Sequence, residues 1–285
     1  MAGGRSACSG IPRSWTSHRA RDSLVPSSKR VAKGIPPEMR PEMRLAFSLA
    51  FWGFMLLSSA ILFPLALLLF CVTVAFDRRR WAMHRFTSWW ASLYTWLNPA
   101  WPVRIHGRER MHEAGPAVIV ANHLSLVDIL VIFRLQSHFK WVSKHENFRV
   151  PLIGWNMRLC GYIPLRRGTA RSIRAMMRRC NEVIGEGSSI LMFPEGTRSA
   201  TGRLRSFKSG AFEIAKKNGV PVQPIVIRGT GEALPKRGFV LQGRHPISIE
   251  ILEPIPSGEV DELEPEEMMD RVRATIAEAL SSDPR

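Results

Sequence analysis

Two short blocks of the 285-residue sequence gather the side chains best suited to chemistry. The first is Asn122-His123-Leu124-Ser125-Leu126-Val127-Asp128. A histidine held by a carboxylate is fixed in one tautomer and can take a proton from an alcohol, which makes His123 a candidate general base and Asp128 its orienting partner. Five positions along one ideal helix separate two side chains by about 140°, so the pair can meet only if His123 lies in the turn ahead of a helix. Ser125 supplies that turn: Ser-x-x-Asp is a capping-box-like start, with Ser125 at the N-cap and Asp128 in the first helical turn. Capping alone accounts for Asp128 equally well, with His123 an ordinary polar turn residue.

The second block is Phe193-Pro194-Glu195-Gly196-Thr197-Arg198-Ser199. Glu195, Gly196, Thr197 and Arg198 make a small-residue turn suited to a polyol phosphate. Arg198 can fork onto phosphate oxygens, Gly196 lets backbone N–H groups approach, and Glu195 can accept from a hydroxyl. The plainer reading is a local Glu195–Arg198 ion pair that stabilises a loop. Lys140 to Lys144, Gly161 to Arg167 and Val220 to Ile225 are weaker signals individually.

Both blocks follow apolar runs. Residues 118–121 (VIVA), 190–193 (ILMF), 222–227 (VQPIVI) and 247–252 (ISIEIL) read as strands, and residues 129–136, 169–184, 208–218 and 265–280 as helices. Strands alternating with helices imply an α/β domain over residues 103–285, with a largely parallel sheet flanked by helices and an acidic C-terminal helix. In such sheets ligands sit beyond the ends of the strands, where both blocks fall.

Residues 45–102 have another character. Leu45 to Phe76 is a 32-residue run without a charge, closed by Asp77-Arg78-Arg79-Arg80, and it reads as an N-terminal membrane-embedded helical segment. As one helix it would be about 48 Å long against a hydrocarbon core of about 30 Å, so a tilted span and a hairpin kinked at Pro64 both fit. Basic residues at both ends leave orientation open and favour a re-entrant arrangement. The tryptophan-rich stretch from Trp81 to Trp101 reads as an interfacial helix in preference to a core stripe. Residues 1–44, rich in Ser, Arg, Gly and Pro, read as a basic tail, a transit peptide or a stretch ahead of the true start at Met39 or Met43.

The formal charge of +16 is uneven: residues 250–285 carry 11 acidic and 3 basic side chains. The remainder is strongly cationic and calls for an anionic partner: nucleic acid, an anionic bilayer or a phosphate-bearing substrate. Arg166, Arg167, Arg171, Arg174, Arg178 and Arg179 form a patch on or before a helix whose Ile173, Met176, Met177 and Ile184 face inward, which fits any of the three. Cys8, Cys71, Cys160 and Cys180 have no metal-site or disulfide spacing and read as free thiols, and no histidine group has ligand-like spacing, so no metal site is expected. A serine nucleophile elbow is absent, and Phe207 stands where a phosphate-binding loop between Gly202 and Ser209 would need glycine.

With four blocks in place, the chain resembles the glycerolipid acyltransferase family, over roughly residues 103–255. The family's Asn-His-x4-Asp block matches Asn122 to Asp128, and its Phe-Pro-Glu-Gly-Thr-Arg-Ser block matches Phe193 to Ser199. An Ile-Pro-Arg-type block corresponds to Tyr162–Arg167, with Leu165 inserted before Arg166, and a Val-Pro-Val-x-Pro block matches Val220 to Pro224. The resemblance implies acyl transfer from acyl-CoA or acyl-carrier protein to the sn-2 hydroxyl of 1-acylglycerol 3-phosphate, with another lysolipid or glycerol 3-phosphate as alternative acceptors. It implies His123 as base, Asp128 as its orienter, and Lys144, Arg166 and Arg198 on the acceptor phosphate. It further implies no metal or cofactor, membrane lipids as partners, no nucleic acid, and a membrane location with the catalytic domain on the cytoplasmic face. The rival of another class is a non-enzymatic basic membrane or nucleic-acid binder.

Overall fold

The computed structural model describes residues 40–282, so the expectations for residues 1–39, including Cys8 and the true start, lie outside the described residues. A seven-stranded sheet runs through the domain in the order β1-β7-β6-β2-β5-β3-β4. The strands are β1 (Val103–His106), β2 (Val118–Ala121), β3 (Phe139–Lys144), β4 (Ile163–Leu165), β5 (Ser189–Met192), β6 (Val222–Arg228) and β7 (Ile247–Ile251). Neighbours run parallel except β6 and β7, which pair antiparallel from Ile225↔Ile251 to Arg228↔Ser248.

The apolar runs bury both faces of this sheet, as parallel strands require. Along β2 the side chains alternate. Ile119 and Ala121 join one core with α1 (Pro41–Thr73), α2 (Trp81–Trp96) and α3 (Val127–Ile132). Val118 and Val120 join a second core with α5 (Ala170–Gly185), α6 (Gly210–Asn218) and α9 (Pro265–Ser281), while α4 (Ile153–Leu159), α7 (Thr230–Ala233) and α8 (Ser257–Glu262) are short connecting helices. Gly219 caps α6 in the left-handed region at φ 58°, and Glu264 and Glu267 close a capping box at the start of α9.

Strands β1, β3 and β4 were not among the expected strands. β1 carries Arg104 and His106 and β3 carries Lys140, Ser143 and Lys144, so neither gives an apolar run, and β4 is only three residues with Pro164 in its middle. The expected helix over 129–136 is α3 followed by a 3-10 turn, Phe133–Leu135. Cys71, Cys160 and Cys180 are free.

Of the two anchor geometries, the hairpin does not occur: α1 is one continuous 33-residue helix with Pro64 inside it. It is apolar and long enough to cross a membrane, and little of its apolar window is buried. Yet it stays against the domain along its length. Ser48 Oγ accepts from Leu241 N at 2.9 Å and Trp52 Nε1 donates to Phe239 O at 2.7 Å near its start. Ser58 Oγ meets Tyr94 Oη at 2.9 Å in the middle, and Phe63 packs on Trp155 beyond it. In the loop after it, Arg79 donates to Gly187 O.

The tryptophan-rich stretch is partly core and partly exposed. Trp90, Tyr94 and Trp101 are core residues, whereas Trp81, Trp89 and Trp96 are exposed. The inner face of α2 is partly polar: His84 bonds Tyr162 Oη at 3.0 Å and Ser137 O at 2.9 Å, and Thr87 Oγ1 accepts from Asn156 Nδ2 at 2.9 Å. That face satisfies buried polar groups, which leaves apolar rings for the outside.

Candidate active site

Strands β2 and β5 are adjacent and parallel, so the two blocks that follow them emerge side by side at one edge of the sheet. Asn122 ends β2 by exchanging two hydrogen bonds with Ile227 of β6, at 2.9 and 2.8 Å. His123 is thereby the first residue free of the sheet.

Helix α3 begins at Val127 with Leu126 at its N-cap and no side-chain cap, so the N-cap expected at Ser125 falls one residue early; Ser125 and Asp128 instead close the turn ahead of the helix. Asp128 Oδ2 accepts from Leu124 N at 2.7 Å, Ser125 N at 2.8 Å and His123 Nδ1 at 2.8 Å. Ser125 Oγ accepts from Val127 N at 3.2 Å and donates to Leu234 O at 2.6 Å. Closing the turn and pairing with the histidine are therefore both carried by one oxygen of Asp128. A carboxylate can only accept from these backbone donors, so the shared proton belongs to Nδ1 of His123. Nε2 is left with its lone pair for a substrate, in the cleft that His123 lines. Asp128 is fully buried, and Phe193 stacks on the imidazole at 3.9 Å and 5°, fixing the plane of the ring.

Glu195 does not pair with Arg198. It is buried, and its two oxygens accept His123 N at 2.7 Å and Arg205 N at 3.0 Å. Ser199 N returns a bond to His123 O at 2.7 Å, so the two blocks are laced together through backbone. Burial pushes the Glu195 carboxyl above its usual range, opposed by the backbone N–H groups of His123 and Arg205. The geometry makes Glu195 a brace behind the histidine, and it is not among the residues lining the cleft.

That cleft has a volume of about 960 Å³. Its lining includes an apolar set, Phe51 and Met55 of α1, Trp90 and Tyr94 of α2, and Leu130 of α3. It also includes a cationic set, Lys144, Arg167, Arg198 and Lys208, the last lying against Gly196. Arg198 makes no hydrogen bond or ion pair with a described residue, while Lys144 stands 3.6 Å from Glu146. Gly196 has φ 69°, and a β-carbon there would stand 3.2 Å from Lys208 Cε, so glycine makes room for the lysine to lie across the turn.

Three features escaped the sequence. Lys208 joins the cationic set because its backbone N–H donates to Pro194 O at 3.0 Å, a long-range contact with no local signature. Arg167 lines the cleft and Arg166 does not; Arg166 is exposed, its N–H held by Ser172 Oγ at 3.0 Å. The stacking of Phe193 on His123 likewise needs the sheet to bring them together. Among the described residues no group of three or more His, Cys, Asp or Glu side chains could hold a metal ion.

Residues 102–228 match the family described as Acyltransferase. The chain is 41% identical over 186 residues to a 1-acyl-sn-glycerol-3-phosphate acyltransferase of Chlamydomonas reinhardtii, an alignment covering 65% of this chain and 55% of that protein. It is 35% identical over 281 residues to the chloroplastic 1-acyl-sn-glycerol-3-phosphate acyltransferase LPAT1 of Arabidopsis thaliana, covering 92% of this chain and 77% of that one. The fold is that of the 1-acyl-sn-glycerophosphate acyltransferase PlsC of Thermotoga maritima, with a TM-score of 0.67 at 24% identity over 85% of this chain and 100% of that chain. With the histidine–aspartate turn and the Phe193–Ser199 turn brought to one cleft, and a relative matched along most of its length, the chain belongs to the glycerolipid acyltransferase family.

Proposed function

We propose that the chain transfers a fatty acyl group from a thioester donor, acyl-CoA or acyl-carrier protein, to the sn-2 hydroxyl of 1-acylglycerol 3-phosphate, giving phosphatidic acid. The observation that carries this reading is the His123–Asp128 pair at a cleft lined by both an apolar and a cationic set of side chains. Nε2 of His123 takes the hydroxyl proton as the oxygen attacks the thioester carbon, and Asp128 stabilises the imidazolium that forms. The tetrahedral intermediate collapses with cleavage of the C–S bond, and His123 returns the proton to the departing thiolate. The cycle needs no acyl-enzyme, metal or cofactor. Arg198, Lys208 and Lys144 hold the acceptor phosphate, and the apolar set takes an acyl chain.

The contacts along α1 support a monotopic placement. A helix tied to one domain at its start, middle and following loop lies in the surface of a bilayer, with its free apolar side and Trp81, Trp89 and Trp96 in the lipid. The catalytic domain then stays on one side, which this reading takes as the cytoplasmic face.

The test is transfer from labelled acyl-CoA to 1-acylglycerol 3-phosphate by purified protein, with a panel of acceptor headgroups. Activity that survives His123→Ala refutes the mechanism. Absence of transfer to any lysolipid points instead to a basic membrane or nucleic-acid binder.

A further inference from the structure

Helix α5 turns three arginines outward, and the site above uses none of them. Arg171, Arg174 and Arg178 are spaced three and four residues apart, on the face opposite the buried Met176, Cys180 and Val183. All three are exposed and make no hydrogen bond or ion pair with a described residue. Arg179 on the same helix differs, held by Glu182 at 3.0 Å and Glu186 at 3.1 Å. Glu182 of α5 and Glu186 just past its end therefore neutralise this flank and leave the outward row bare.

The row begins at the cleft. Arg167 and Gly168, just ahead of the helix, line the cleft, as do Ile173 and Met177. Ile173, expected to face the core, is 44% exposed for this reason. A partner seated on the row would thus have its edge at the entrance.

Shape and placement narrow the partner. A small phosphate ligand is held by polar groups converging in a concavity. Guanidinium groups one turn apart on the convex side of a helix form a ridge instead, running about 10 Å along the axis. A second helix carrying carboxylates three and four residues apart repeats that spacing. A lipid surface is also polyanionic, but α5 packs in the core on the sheet face away from α1 and α2, whose exposed rings are the lipid-seeking ones. We infer that the Arg171–Arg174–Arg178 row is a docking surface for an acidic helix of a carrier protein that presents the acyl thioester to the cleft. The inference rests on the acyl-transfer reading and selects the protein-borne donor within it.

The experiment is the full chain carrying R171E, R174E and R178E together, assayed with palmitoyl-carrier protein and with palmitoyl-CoA at saturating 1-acylglycerol 3-phosphate. The expected result is a KM for palmitoyl-carrier protein raised about tenfold or more with kcat little changed, and palmitoyl-CoA kinetics within about twofold of the parent. The triple lysine variant, R171K with R174K and R178K, keeps most of the carrier-protein activity, and added salt weakens the parent with carrier protein more than the glutamate variant. Intact palmitoyl-CoA kinetics show that the variant is folded. Equal losses with both donors, or no loss with either, overturn the inference. So does a variant that loses binding to phosphatidylglycerol vesicles while its carrier-protein KM is unchanged, since that assigns the row to the bilayer. A parent chain that uses palmitoyl-CoA but not palmitoyl-carrier protein overturns the docking surface and leaves acyl transfer standing. Transfer from neither donor removes the acyl-transfer reading, and the inference with it.

Discussion

Asn122 and Ile227 hold each other by two hydrogen bonds, the carboxamide donating to the carbonyl at 2.9 Å and accepting the backbone N–H at 2.8 Å. Asn122 is buried, so the carboxamide extends the β2–β6 pairing past the point where β2 leaves the sheet. Asn122→Ala strands a buried N–H and a buried carbonyl, and is expected to cost about 2–4 kcal/mol of stability. Because the next residue is His123, kcat should fall as well. Urea unfolding beside steady-state kinetics measures both; a variant within about 0.5 kcal/mol of the parent denies Asn122 this role.

Asp128 offers a cleaner separation of scaffold from chemistry. Asp128→Asn keeps an oxygen for the Leu124 and Ser125 N–H groups but presents an NH₂ or a weaker acceptor to His123, favouring the tautomer with the proton on Nε2. The expected outcome is a loss of kcat of about 10³-fold or more with a melting temperature near that of the parent. Asp128→Ala should lose the rate and melt lower. If Asp128→Asn retains most of its activity, the carboxylate closes the turn and no more.

Within the cationic set, Arg198→Ala and Lys208→Ala should each raise the KM for 1-acylglycerol 3-phosphate about 10- to 100-fold, the worth of one charge-assisted hydrogen bond. Effects on kcat should be smaller, since on the proposed reading the phosphate is bound before and during transfer. A KM unchanged in Lys208→Ala would mean that the lysine only packs across Gly196.

Lys140 carries a pH signature away from the catalytic pair. Its ammonium is buried and donates to Cys160 O at 2.7 Å, and burial pulls its pKa down to about 8. The unfolded chain keeps this proton up to the ordinary lysine value, so between pH 8 and about 10.4 the unfolded state binds more protons and the folded state gains. Below pH 8 the full cost of burying the charge is present. Lys140→Met should therefore compare best with the parent at neutral pH and lose about 3 kcal/mol of that relative standing by pH 10.5. Thermal or urea unfolding of the two proteins across that range gives the difference; a flat profile would mean that Lys140 keeps an ordinary pKa.

The parts of the fold legible in the sequence are those where local pattern and tertiary role agree. VIVA at 118–121 and ISIEI at 247–251 announce strands because each is apolar on the faces the sheet buries. Strand β3 is hidden because Lys140 is buried in it against a carbonyl, an arrangement that only α4 (Ile153–Leu159) and its C-cap at Cys160 create. The turn holding His123 and Asp128 is legible because Ser125 and Asp128 close it within four residues. Glu195 and Lys208 are not, since their partners are backbone groups of other segments. The choice between Arg166 and Arg167 is set by the turn that follows β4, which neither side chain announces.

The same residues of α1 that pack on the domain, Phe51 and Met55 among them, also belong to the apolar lining of the cleft. On the proposed reading, a lysolipid then reaches His123 by sliding sideways out of its leaflet, with its tail never crossing water. The concentration that governs turnover is in that case a mole fraction in a two-dimensional film. Rates should fall when inert lipid or detergent thins the acceptor at constant bulk amount, and adding more vesicles of the same composition should leave a fully bound enzyme unchanged.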